Sequence, residues 1–244
     1  RYCFEVLSDG STKVSAMNGA ARVKSTKTQA EVILSVGQYV TMTATGLGDV
    51  LEKSFTDVNA SDPYRTAIIG MALKEIVNGY KKGDFWEFRP GDSVKRAQFA
   101  KMIVGAMSLP PKSTIATRFT DLGAPDTTGY PHVFVQAAYE SNITNGTNTA
   151  QTTFGPWDPI KRAQAVTMIV RGANELWPGI LKTPPAGWSG QMSSFTDANH
   201  GANMHVAEFN DLLAGLAGFG GDWNPWAQAS RGEVAQMLWN LMTR

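Results

Sequence analysis

Apolar residues at Phe99, Met102, Ile103, Ala106 and Met107 fall at intervals of three and four, the spacing that lays one apolar stripe along a helix. The same spacing returns at Ala165, Met168, Ile169, Gly172 and Ala173, and again at Val234, Met237, Leu238, Leu241 and Met242. Three equivalent helices with one stripe each predict a core in which the stripes face one another with approximate three-fold symmetry. The small residues of the second copy let its backbone come close. An earlier helix is expected before each of these. The first spans about Tyr64 to Val77, with Ala67, Ile68, Met71, Ala72 and Ile76 on one face; the second spans about His132 to Ile143. The third runs from Met204 to Ala217, with Phe209, Leu212, Leu213 and Leu216 as its stripe. Asn78-Gly79 and Asn145-Gly146 supply residues that tolerate left-handed angles and so stop the first two. The N-terminal stretch has a different period. Residues 2–17 alternate on either side of Asp9-Gly10, a hairpin signal, and residues 30–44 continue with Val32, Leu34, Val40 and Met42 in β-prone company.

The helices recur because the sequence repeats. "SFTDV" at 54–58, "RFTDL" at 118–122 and "SFTDA" at 194–198 open three segments of about 60 to 75 residues, a length that suits one supersecondary unit each. In each, a helical stretch ends in "IVNGY", "ITNGT" or "LAGFG", and an aromatic-x-Pro turn follows as "FRP", "FGP" or "WNP". An arginine then stands six residues after the proline every time, as Arg96, Arg162 and Arg231. Intervening loops vary while this spacing is constant, as a rigid turn feeding a helix would require.

The helix starts differ in detail. Ser230-Arg231-Gly232-Glu233 has the form of a capping box, in which the serine hydroxyl accepts from an orphan N–H and the glutamate reaches back to the cap. In the other two copies Lys95 and Lys161 hold the cap position, with Gln98 and Gln164 in place of the glutamate. Lysine has no acceptor. Those helices are therefore expected to start earlier, at Asp92 or at Asp158 with Pro159 in the first turn.

Composition narrows the chemistry. A chain of 244 residues with 43% hydrophobic content can bury a core, and its net charge of +1 gives no support for steering toward nucleic acid or an acidic membrane. Anion recognition must then be local. One cysteine, Cys3, and three histidines, His132, His200 and His205, suggest neither a disulfide within the chain nor a metal centre, and the histidines read as solvated or capping groups. No cofactor is expected. No apolar run reaches the roughly 20 residues that span a bilayer. The chain opens on Arg1 within a strand-like pattern and is expected to be part of something longer. No nucleophile elbow, phosphate loop or metal motif is present in the sequence, so an enzyme is not expected.

The ordered set F-x-D, helix, Asn-Gly-like stop, aromatic-x-Pro and Arg-bearing helix start resembles the surface-layer homology (SLH) domain, three times in tandem. The resemblance divides the chain into repeats at 52–112, 116–178 and 192–244, after a β-rich segment at 1–46 that resembles the C-terminal end of a FecR-like β domain. It implies a mainly α fold: a pseudo-three-fold unit with a central three-helix bundle and three prongs, preceded by the short β segment. It also implies a secreted protein of the bacterial cell wall or surface layer. Such a protein binds a pyruvylated secondary cell-wall polysaccharide, or a peptidoglycan-linked glycan, in grooves between repeats. The arginine of the motif then faces the groove, and the glycine that ends the earlier helix admits the ligand. Carried over, these are Arg96, Arg162 and Arg231 with Gly79, Gly146 and Gly218. The sequence departs from the family at the cap, where the family threonine is Lys95, Lys161 and Ser230, and in the third stop, where Ala217-Gly218 replaces Asn-Gly. The three grooves are accordingly not expected to bind equally.

Two readings of the arginines stand side by side. A guanidinium at a helix N-terminus completes an anion site, because free N–H groups and the positive dipole end already favour a carboxylate that arginine can grip with two bonds. Alternatively, each arginine pairs within its own repeat with Asp57, Asp121 or Asp197, and the repeats serve as a structural or self-assembly unit. Lys95 and Lys161 either add charge to the pocket or stand in solvent. Trp86, Trp157, Trp223 and Trp226 near the turns either stack on sugars or fill the core. The Pro- and Gly-containing stretch 176–194 is expected to be an irregular loop able to cover one groove.

Overall fold

The computed structural model describes residues 1–17, 19–112 and 118–244. Two compact units, Arg1–Arg89 and Pro90–Arg244, divide the chain. The first unit is built on the alternating N-terminal stretch. Its strands are β1 (Tyr2–Val6), β2 (Thr12–Ala16), β3 (Ala21–Lys24), β4 (Glu31–Leu34), β5 (Gln38–Thr43), β6 (Gly46–Leu47) and β7 (Leu51–Glu52). An antiparallel sheet runs β1-β2-β5-β6, with β7 also on β5, and β3 pairs with β4 separately. The hairpin forms where Asp9-Gly10 predicts it. Gly10 has φ +80, which the turn needs, and Asp9 Oδ1 accepts from Ser11 N at 2.9 Å. Val14, Ala16, Ala21, Val23, Leu34 and Val40 form the core of this sheet pair.

Helix α1 (Arg65–Leu73) follows, then the hairpin β8 (Tyr80–Lys82) and β9 (Phe85–Glu87). Lys13 of β2 is buried, and its ammonium donates to Leu73 O at the end of α1 at 3.1 Å. A cation at a helix C-terminus satisfies an orphan carbonyl and suits the dipole. Asp57 accepts from Phe88 N at 2.7 Å and Arg89 N at 2.6 Å, tying the F-T-D turn to the aromatic-x-Pro turn.

The second unit carries α2 (Arg96–Ala106), α3 (His132–Glu140), α4 (Arg162–Leu176), α5 (Gly201–Phe209) and α6 (Arg231–Met242). The stripe residues of α2, α4 and α6 are buried except Met242, while Phe209 at the end of α5 is half-buried. α2 packs on α3, α4 packs on α5, and α6 meets both α2 and α4. A Cβ at Gly172 would come within 2.6 Å of Met107 Sδ, so the small residues of α4 do permit close approach. The start of each long helix is satisfied by the turn of another segment. Arg96 N and Ala97 N donate to Asp158 O and Pro156 O, Arg162 N and Ala163 N to Ala227 O and Pro225 O, and Arg231 N and Gly232 N to Asp92 O and Pro90 O. The pattern closes on itself. Asp92 and Asp158 thus serve neighbouring helices through their carbonyls.

This architecture overturns the expected fold class. The chain is not a mainly α protein with a three-helix bundle: 27% of residues are helical and 17% lie in strands arranged in several antiparallel sheets. Two causes are local. Strands persist through Glu52 and return at β8–β9, and the helices are shorter than their apolar periodicity suggests. α1, α3 and α5 end at residues that take left-handed angles early: Glu75 (φ 60), Asn142 (φ 55) and Asp211 (φ 57). The next residue then closes a six-residue turn, Ile76 N to Met71 O, Ile143 N to Ala138 O and Leu212 N to Ala207 O. The stop is therefore not at Asn78-Gly79 or Asn145-Gly146.

Candidate functional site

The helix starts that carry the arginines are built by reach-back rather than by side-chain caps. Gln98 Oε1 accepts from Lys95 N at 2.9 Å and Gln164 Oε1 from Lys161 N at 3.1 Å, while neither lysine side chain caps its helix. At α6 both halves of the box are present, Ser230 Oγ accepting from Glu233 N at 3.2 Å and Glu233 Oε2 from Ser230 N at 2.9 Å. α2 and α4 nonetheless begin at Arg96 and Arg162, not at Asp92 and Asp158 as expected. Carbonyls of the neighbouring segment replace the missing caps, so an earlier start is unnecessary.

The arginines then diverge. Arg96 is only 5% exposed, with its Nε donating to Phe154 O at 2.6 Å and its guanidinium 4.8 Å from the Phe154 ring. Its Nη1 reaches Gln164 Oε1 at 3.4 Å. Burial pulls its pKa down to about 10, against the pull of Asp158 and Asp121, so the group stays cationic at neutral pH while its charge is poorly solvated. Arg162 forms an ion pair with the buried Glu233 at 2.7 Å, donates to Asn224 O at 3.2 Å and lies 5.0 Å from the Trp223 ring. Glu233 also accepts from Trp223 Nε1 at 3.2 Å. Arg231 is buried at the first position of α6.

The aspartates of the F-T-D motifs bind backbone instead. Asp121 Oδ2 accepts from Phe154 N at 3.0 Å and Gly155 N at 2.7 Å, repeating the Asp57 arrangement. Asp197 differs, accepting from Asn199 N and His200 N, both at 2.9 Å, at the start of α5. The ion pair that exists at Arg162 runs to the next segment, not to its own aspartate.

A cleft of about 380 Å³ opens beside Arg96. α2 gives it Arg96, α4 gives Gln164, Thr167 and Arg171, and the start of α5 gives Asn199 and His200. The loop at 144–151 supplies the opposite wall with hydroxyls and amides, among them Asn145, Gly146 and Asn148. Two arginines and many neutral donors face the space, and no carboxylate lines it among the described residues. Such a wall attracts an anion that carries hydroxyl groups. His200 Nδ1 and Thr167 Oγ1 are 2.7 Å apart across its floor. Burial holds the His200 imidazole below the usual histidine range; Asp197 opposes this and Arg171 adds to it.

Of the residues expected from the sequence, Arg96 and Gly146 come together in this cleft. Gly146 has φ +83, and a Cβ there would lie 2.6 Å from Phe119 Cε1 and against Thr153 O. Backbone angle and internal packing therefore require the glycine. Gly79 is likewise crowded by Phe55 at 2.5 Å and Glu87 O at 2.6 Å, whereas Gly218 has φ +75 with open space around its Cβ position. Lys161 is exposed, with Nζ 5.4 Å from the Trp226 ring, and Lys95 is half-buried at its helix start. Trp223 is core, while Trp86, Trp157 and Trp226 are exposed. Sequence reasoning missed Arg171 and assigned His200 to solvent or a cap. Arg171 carries a legible signal: it stands one residue before Gly172 of the α4 stripe and so off the apolar face. No group of metal-ligating residues occurs among the described residues, and none of their helices is long and apolar enough to cross a membrane.

The family model of the S-layer homology domain matches residues 54–100 and 128–166. These segments contain the first F-T-D turn, the starts of α2 and α4, and α3; the third segment and the N-terminal β region lie outside them. A search of the curated proteins found no match to this chain. Similarity to this family supports a role in anchoring at the cell wall or cell surface, a role carried out by binding rather than by catalysis.

Proposed function

We propose that residues 90–244 hold an anionic wall glycan, a secondary polysaccharide or peptidoglycan-linked glycan bearing ketal-linked pyruvate, in the cleft at Arg96. In this reading the third segment is a third copy of the repeat. The observation that carries the reading is a cleft with Arg96 and Arg171 in its wall, neutral hydrogen-bonding groups around them, and no lining carboxylate among the described residues. Arg96 is buried and charged, and among the described residues it is bonded through Nε and weakly through Nη1, so a carboxylate that completes its fork regains solvation lost on folding. A charge-assisted pair of this kind contributes about 1.5 to 3 kcal/mol, or roughly ten- to a hundredfold in affinity. A neutral glycan would leave Arg96 and Arg171 without that gain.

The ion pair at Arg162 favours the structural reading for that one arginine. Binding is assigned to the Arg96 cleft, and Arg162 holds α4 to the start of α6. Calorimetric titration with pyruvylated and depyruvylated wall polymer separates the possibilities. The pyruvylated polymer should bind, and Arg96→Ala should weaken it at least tenfold while helix content is kept. Equal affinity for the two polymers, or none for either, would refute the carboxylate mechanism.

A further inference from the structure

Trp226 follows the proline of the third aromatic-x-Pro turn, where the second segment has Trp157 and the first has Gly91. Its side chain is 42% exposed. Two rings brace it: His200 meets it edge-on at 5.6 Å and 75°, and Phe195 lies tilted at 5.6 Å and 60°. The indole is thus oriented in advance while much of it still faces water. Lys161 Nζ stands over the ring, 5.4 Å from its centroid, on an exposed side chain. His200 is shared, for the same imidazole lines the Arg96 cleft and bonds Thr167 on its floor. The platform is therefore continuous with the cleft.

Its chemistry differs from that of the cleft. An exposed indole suits the C–H face of a pyranose, and the ammonium held over it on an exposed side chain suits a ring hydroxyl. A carboxylate would gain more from Arg96 and Arg171, which offer planar forks. We propose that Trp226 and Lys161 form a second sugar subsite, which takes the neutral pyranose next to the acidic one. Its ring lies on the indole, and a hydroxyl accepts from Lys161 Nζ. This rests on the reading that the acidic sugar occupies the Arg96 cleft. Trp157 supplies an internal control. It is 53% exposed with Tyr130 at 6.2 Å, yet it does not line the cleft.

The test uses the whole chain and two probes, a pyruvylated monosaccharide and the pyruvylated disaccharide cut from wall polymer, titrated by calorimetry. The disaccharide should bind about tenfold tighter than the monosaccharide. Trp226→Ala should erase that gain and leave monosaccharide affinity unchanged, Trp226→Phe should keep part of it, and Trp157→Ala should alter neither. If neither probe binds the unmodified protein, the cleft reading itself falls. If the monosaccharide binds and the gain survives Trp226→Ala, or if Trp226→Ala weakens both probes equally, the subsite is refuted and the cleft reading stands.

Discussion

Arg96 and Arg162 occupy matching places in consecutive segments and end in different chemistry. One is buried beside a polar cleft with its fork incomplete; the other is paired to Glu233 at 2.7 Å. Removing one partner of a buried ion pair strands the other, so Arg162→Ala should cost about 3 kcal/mol in urea unfolding. Arg96→Ala should cost about 1 kcal/mol and instead lose glycan binding. Gly146→Ala should cost about 2 kcal/mol, because it places a Cβ against Phe119 at a positive φ. His200 gives a pH dependence with a defined sign. Burial holds its folded pKa below the usual histidine range, so its neutral form contributes stability above that range and the contribution is lost as pH falls through the folded pKa. The unfolding midpoint should drop between pH 7.5 and 5.5, and His200→Gln should flatten that drop. Among these residues Arg96 was legible in the sequence from its constant distance to a proline. The partner of Arg162 was not, since Glu233 belongs to the next segment and only folding brings it there.

The helices that carry the arginines begin later than expected, at Arg96 and Arg162 instead of Asp92 and Asp158, and the helices before them end sooner. A rigid turn fixes the start, and the carbonyls of Asp158, Ala227 and Asp92 receive the first N–H of each long helix. The stops lie at Glu75, Asn142 and Asp211; residue type marks Asn142 and Asp211 as tolerant of left-handed angles but gives no sign at Glu75. The Asn-Gly pairs lie further on and serve packing, which is why the expected helices were too long. Replacing Asp211 by glycine should relieve left-handed strain and raise stability by about 0.5 to 1 kcal/mol in thermal unfolding. Ser230→Ala should lower it by about 1 kcal/mol, because it removes the Ser230 Oγ that accepts from Glu233 N at the start of α6.

At the scale of the molecule, recurring helix starts do not produce equivalent surroundings. The helix starts form a closed cycle of backbone bonds, yet the surrounding groups differ: Phe154 and Gln164 at Arg96, Trp223 and Glu233 at Arg162. Repetition and the apolar stripes were legible because both are local in sequence. The mixed α and β content was not, because strands at β6 to β9 are two or three residues long and carry no period. Arg171 and His200 escaped for a related reason, since the cleft exists only once α2, α4, the start of α5 and the loop at 144–151 come together. The most direct test is a crystal structure of the protein soaked with a pyruvylated wall disaccharide. The pyruvate carboxylate should be hydrogen-bonded to the Arg96 guanidinium, with Arg171 facing it and the Arg162–Glu233 pair intact. A carboxylate bound at Arg162 with that pair broken, or a sugar bound away from Arg96, would contradict this.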